Sequence, residues 1–239
     1  MMKKLLLATA LLGMTAGFAS AQTVRIATEG AYEPYNYIND KGELDGFEIE
    51  LGKQLCEIAK MDCVFVKNDW DSIIPNLQSG NYDAIMAGMS MTDERRAKIA
   101  FSLGYTLPTA SSYASMDPSA PTDSGVIAAQ TGTIQASHVA KSAGAQLMEF
   151  ATPDESVAAV RNGQAAVVMA DKDFLLSVLG DGLELVGEDV LLGDGIGIGL
   201  RQSDTELKAK FDAAIDTMRK DGTLNTMLDK WFGEEAVHF

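Results

Sequence analysis

GNYDAIMAGMSMTDERR, residues 80–96, is the stretch whose reading decides the fold. Asp83-Ala84-Ile85-Met86 is short, apolar and bounded by turn residues, which predicts a buried strand. Thr92 followed by Asp93 and Glu94 predicts a helix start, with Thr92 as N-cap and two acids in the first turn. That assigns the acids and one arginine. It leaves Ser90 and a second arginine at the carboxyl end of a strand, where open α/β sheets bind ligands.

The flanking sequence alternates strand-like and helix-like runs. Val24–Thr28 reads as a strand, and 47–59 as a helix with Phe47, Leu51, Leu55 and Ile58 on one face. Val64–Val66 is strand again. Residues 71–77 form a helix in which Pro75 is tolerable only in the first turn. This is the alternation of an α/β sheet rich in parallel strands. Residues 80–88 also have a faint echo in GQAAVVMAD, residues 163–171. Each copy follows an amphipathic helix and a helix-ending glycine, and each carries a buried strand with small or polar residues at its tip. Two similar lobes, each lending a strand tip to one cleft, explain the echo.

Ser111–Gly125, rich in Ser, Pro and Asp, reads as a loop-forming shift in composition. Val126–Ala129 then predicts a strand running through Gln130-Thr131-Gly132-Thr133 into a helix. Gly193–Leu200 alternates glycine with other residues, which marks close backbone approach or a hinge. It is no phosphate loop, because neither GK[ST] nor GxGxxG before a helix is present. Residues 204–232 read as helix broken at Asp221-Gly222.

The first 21 residues have the form of an export signal. Lys3 and Lys4 precede an apolar stretch, Leu5–Phe18, and Ala19-Ser20-Ala21 matches the cleavage pattern. The expectation is an exported, soluble chain starting near Gln22, without a cysteine there to carry lipid. Removing residues 1–21 discards two lysines and no acid, leaving 17 basic against 34 acidic residues and a formal charge of −17. Such acidity argues against nucleic acid and anionic membranes as partners.

Cys56 and Cys63 are the only cysteines, and in an exported chain they predict one disulfide. Seven residues of unbroken helix would hold their Cα atoms about 10.5 Å apart, beyond the roughly 4.4–6.8 Å a disulfide spans. The chain must therefore leave the helix between them, at Lys60-Met61-Asp62. No metal site or cofactor is expected, since His138 and His238 are the only histidines and stand apart.

Six segments, ATEGAYEPYN (27–36), LDGFEIELGKQLC (44–56), 69–96, AAQTGT (128–133), GIGIGLR (195–201) and DGTLNTMLDKWFG (221–233), together carry a resemblance. Over residues 22–233 the chain resembles the exported solute-binding proteins of polar amino-acid ABC transporters. The cysteine spacing is similar to that of lysine/arginine/ornithine and histidine binders. Thr28-Glu29-Gly30 and Asp69-Trp70-Asp71 look more like octopine and nopaline binders. The resemblance implies a bilobed type II periplasmic-binding-protein fold, with two α/β lobes joined by a two-strand hinge. Lobe 1 would comprise 22–107 plus 195–239, and lobe 2 108–194. The hinge would lie near 106–110 and 193–197.

It also implies roles. Arg95 would grip a ligand α-carboxylate as a bidentate fork, beside the Ser90 hydroxyl and Gly88. Thr133 would add a hydroxyl and helix N-terminal N–H groups. Asp171 would take the α-ammonium. Glu29, Tyr32 and Trp70 would read the ligand side chain, Glu29 by charge and the rings by stacking. Arg96 matches no ligand position. The chain departs from the basic-amino-acid binders at Glu29, where aspartate is usual, and at Ala87 and Gly88, where hydroxyl residues are usual. Gln130 and Ile134 flank Thr133 where an apolar residue and a second threonine are more common. From the residues alone, Arg95 could be a surface helix arginine, and Asp171 could equally cap the helix 172–179.

The implied function is a monomeric periplasmic receptor. It would capture a polar, cationic amino acid or opine and deliver it to the membrane permease of an ABC importer. An exported enzyme of the same fold, similar to a cyclohexadienyl dehydratase, is the competing expectation, with Glu29 or Asp171 as general acid.

Overall fold

The computed structural model describes residues 23–239; the export-signal reading of residues 1–21 lies outside them. The chain opens with β1 (Val24–Thr28), β2 (Ala31–Tyr32), β3 (Asn36–Ile38), β4 (Leu44–Asp45) and α1 (Phe47–Ile58). There follow β5 (Cys63–Lys67), a 3-10 turn (Trp70–Ser72), α2 (Ile73–Gln78), β6 (Ala84–Ile85), α3 (Asp93–Arg96) and β7 (Ala100–Gly104). It then crosses into β8 (Ala110–Ser115), β9 (Ser124–Gln130), α4 (Ile134–Ala140), β10 (Gly144–Phe150), α5 (Pro153–Arg161), β11 (Val167–Asp171), α6 (Lys172–Val178) and β12 (Glu184–Leu191). A second crossing leads back to β13 (Gly197–Leu200), α7 (Thr205–Lys220) and α8 (Thr223–Phe232).

Two five-stranded sheets result, ordered β5-β1-β6-β13-β7 and β10-β9-β11-β8-β12. Both run parallel, parallel, antiparallel, antiparallel across their neighbours. The sequence echo is thus structural: β6 and β11 are the third strand of each sheet, and their tips face the same cleft. Beyond the sheets, β2, β3 and β4 form a small antiparallel sheet.

Local chemistry explains several turns. α1 ends with Lys60 left-handed at φ 53°, Met61 N donating to Cys56 O and Lys60 N to Glu57 O. This is a Schellman stop with lysine where glycine is usual. It brings Cys56 and Cys63 into a disulfide with Cα atoms 6.3 Å apart. Pro75 is the third residue of α2 and so lies in its first turn. Gly222, left-handed at φ 80°, separates α7 from α8.

The glycine alternation before and within β13 reflects close approach. A Cβ on Gly195 would lie 2.5 Å from Thr106 O, and one on Gly197 2.7 Å from Met91 Sδ. The two crossings run side by side here, with Tyr105 N donating to Ile196 O and Ile196 N to Thr106 Oγ1.

One expectation fails. Ser111–Ser115 belongs to a buried strand, β8, rather than to a loop. Its serines can be buried because each has a partner: Ser111 Oγ accepts from Gln135 Nε2 at 2.8 Å, Ser112 Oγ donates to Asp189, and Ser115 Oγ donates to Ala166 O at 2.7 Å.

Candidate functional site

All eight residues singled out in the sequence line one cavity between the lobes. Ala87, Gln130, Ile134 and Gln135 complete its wall.

Arg95 reaches it because α3 is a single turn capped by Thr92, whose Oγ1 accepts from Arg95 N at 3.3 Å. The side chain folds back and is buried. Its guanidinium donates to Ser90 O at 2.9 Å and, across the cleft, to Gly132 O at 3.2 Å, and lies 5.1 Å from the Trp70 ring centroid. Both acceptors are neutral carbonyls, and no described carboxylate pairs with it. Burial pulls its pKa down to about 10, against the opposing charges of Asp171 and Glu94. Arg96, one residue on, points outward over Phe101 at 5.7 Å.

Asp171 occupies the N-cap position of α6 but makes no capping bond. Its Oδ2 accepts from Tyr32 OH of the other lobe at 2.8 Å, and its Oδ1 from Gln135 Nε2 at 2.7 Å. Burial lifts its pKa to about 6; Asp173 adds to the shift, while Tyr32, Gln135 and Arg95 oppose it. Glu29, just past β1, is 4% exposed. Its Oε1 accepts from Gln130 Nε2, again across the cleft, at 2.6 Å. Burial raises its pKa to about 7, the Gln130 bond and Lys67 opposing, Asp69 and Asp154 adding. The two acids have only neutral donors. A buried cation and two acids therefore share one cavity with no ion pair among them, a costly arrangement without a ligand.

The remaining residues divide by what their polar groups already do. Ser90 is buried at the cavity, and its Oγ bonds to no described residue. Thr133 Oγ1 donates its only proton to Gln130 O at 2.7 Å and accepts from Ala136 N at 3.1 Å. It shapes the loop rather than offering a free donor. Gly88 N donates to Glu48 Oε1 at 2.7 Å, so its backbone proton is also engaged. Tyr32 stacks on Phe174 with centroids 4.7 Å apart.

Two residues escaped the sequence reading. Gln135 orients Asp171. Glu48, fully buried in α1, gathers Asn36 Nδ2 at 2.7 Å, Tyr105 OH and Gly88 N. Burial raises its pKa, the three donors opposing. An acid inside the apolar run Phe47-Glu48-Ile49 was the available signal.

The model of the bacterial extracellular solute-binding proteins, family 3, matches residues 24–234. The chain belongs to this family. The lysine/arginine/ornithine-binding periplasmic protein of Escherichia coli K12 is 35% identical over 253 residues, 97% of each chain. The L-arginine-binding protein of Pseudomonas aeruginosa is 34% identical over 232 residues, 90% of each. Among solved structures, a periplasmic His/Glu/Gln/Arg/opine family-binding protein of Silicibacter pomeroyi in complex with lysine superposes with a TM-score of 0.88. It is 59% identical, over 90% of this chain and all of the other. The two sheets and the cleft of this family 3 solute-binding protein are thus the bilobed type II architecture of periplasmic amino-acid binders.

Proposed function

We propose that this solute-binding protein captures one cationic α-amino acid between its lobes and delivers it to the membrane permease of an ABC importer. One observation carries the reading: Arg95, Asp171 and Glu29 face one cavity without ion-pair partners. A ligand with a carboxylate, an α-ammonium and a cationic side chain complements all three. Arg95 and Ser90 hold the carboxylate, Asp171 the α-ammonium and Glu29 the distal cation, while Tyr32 and Trp70 cover the aliphatic stem and Gly88 leaves room for it. The lysine-bound relative and the two basic-amino-acid relatives support this ligand class.

The protein works as a periplasmic monomer after cleavage near Ala21. Lobe 1 comprises 22–107 plus 195–239, lobe 2 108–194, and the paired crossings near 106–110 and 193–197 form the hinge. Native mass spectrometry of the purified protein, followed by a thermal-shift panel, tests the function. One basic amino acid should be retained, and lysine, arginine or ornithine should stabilise by about 2.7 kcal/mol at a hundredfold excess over Kd. A panel in which no amino acid raises Tm would refute it.

A dehydratase-like activity has one observation in its favour: Glu29, with a pKa of about 7, is poised as a general acid. Two acids on the cavity wall favour holding a cation over eliminating carbon dioxide and water from a carboxylate-rich ring. Incubation with a cyclohexadienyl acid should give no aromatic product.

A further inference from the structure

Gln130 is the last residue of β9, buried at the cavity wall. Its Nε2 donates to Glu29 Oε1 at 2.6 Å and to Ala151 O at 3.1 Å. A backbone carbonyl can only accept, and a carboxylate taking this bond does too. The amide orientation is therefore fixed, with Oε1 turned away from both. No described residue donates to Oε1, which leaves it free to accept from a ligand. The Thr133 bond to Gln130 O pins the backbone behind it.

We propose that Gln130 is a specificity-determining residue for the distal end of the ligand. It crosses the cleft to hold the Glu29 carboxylate, and its own Oε1 stands as a second acceptor beside it. With Glu29 ionised, this pair offers the distal end of the ligand acceptors only. An ammonium or guanidinium, which only donates, satisfies it. A carboxamide brings an acceptor of its own that neither Gln130 Oε1 nor the ionised Glu29 can satisfy. This rests on the binding function proposed above and names what selects cationic over neutral amino acids within it.

The test is calorimetry of the wild type, Gln130→Leu and Gln130→Met with L-arginine, L-lysine and L-glutamine. Losing a bond to a charged group should weaken the cationic ligands roughly 10- to 100-fold. Glutamine should lose far less, so the preference for cations falls by about tenfold or more. Removing a donor from Glu29 should also shift the pH midpoint of cation binding upward. The other groups that face Glu29, namely Tyr32, Lys67, Asp69 and Asp154, are unchanged in both variants. The methionine variant guards against a folding defect of the leucine one. Equal weakening of all three ligands, the mark of simple lobe adhesion, would overturn the inference, as would no change. A wild type that binds none of them would overturn the proposed function and this inference together.

Discussion

Lowering the pH from 8 to 6 should weaken a cationic ligand about ten times more than a neutral one. Glu29 has a pKa of about 7 in the unliganded site, so it is about 90% ionised at pH 8 and about 10% at pH 6. Only the ionised form pairs with the distal cation. That step alone costs roughly tenfold in affinity. Asp171, at about 6, stays ionised at pH 8 and is about half protonated at pH 6, a further factor of roughly two. Arginine or lysine should thus lose about 20-fold, and glutamine, which does not use Glu29 as a charge partner, about twofold. The stability of the unliganded protein moves oppositely. A raised carboxyl pKa stabilises the fold below the unfolded value and loses that contribution as pH rises through the folded value. For Glu29 the loss approaches ~3 kcal/mol by pH 8, so stabilisation by a cationic ligand should grow with pH. Calorimetry at pH 6, 7 and 8 with both ligands reads the first effect, and thermal melts read the second. A cationic ligand whose affinity is flat from pH 8 to 6 would refute the pairing with Glu29.

Other outcomes follow from the same geometry. Arg95→Ala should cost about 2–5 kcal/mol of binding by removing a buried carboxylate partner, while Arg96→Ala, exposed over Phe101, should change calorimetric affinity by less than about twofold. Tyr35 OH donates to Asp173 Oδ2 across the cleft at 2.8 Å, outside the ligand cavity. Tyr35→Phe should therefore weaken every ligand alike, by roughly 10-fold or more, and shift the unliganded protein toward a larger radius in small-angle scattering. Replacing Cys56 and Cys63 together by alanine should lower unfolding free energy by about 2.5 kcal/mol in denaturant titration, with ligand affinity unchanged.

The parallel core and the cavity were readable from sequence because buried strand tips and a capped turn leave local signals. Thr92, Asp93 and Glu94 announce α3, but neighbouring arginines look alike in a string. Their roughly 100° separation around the helix sends Arg95 inward and Arg96 outward, and which of the two faces the cleft depends on how α3 sits against β6. Asp171 was undecided between cap and ligand site because both need a carboxylate at a strand-to-helix junction. Tyr32, 139 residues away in sequence, takes it from the helix. The edge strands β10 and β12 went unread. Both are partly exposed, and exposed Gln146, Glu149, Glu188 and Asp189 break the alternation that would mark a strand. β8 was misread because serine content signals loops unless distant partners, here Gln135 and Asp189, satisfy the hydroxyls.

Three-point charge recognition is the centre of the account, and calorimetry with L-lysine and three analogues tests it most directly. Lysinamide lacks the α-carboxylate, 6-aminohexanoic acid the α-amine and norleucine the distal cation. Each should bind at least about 30-fold more weakly than lysine, since each leaves Arg95, Asp171 or Glu29 buried without its partner. An analogue that binds as tightly as lysine would contradict the role of the residue it leaves unpaired.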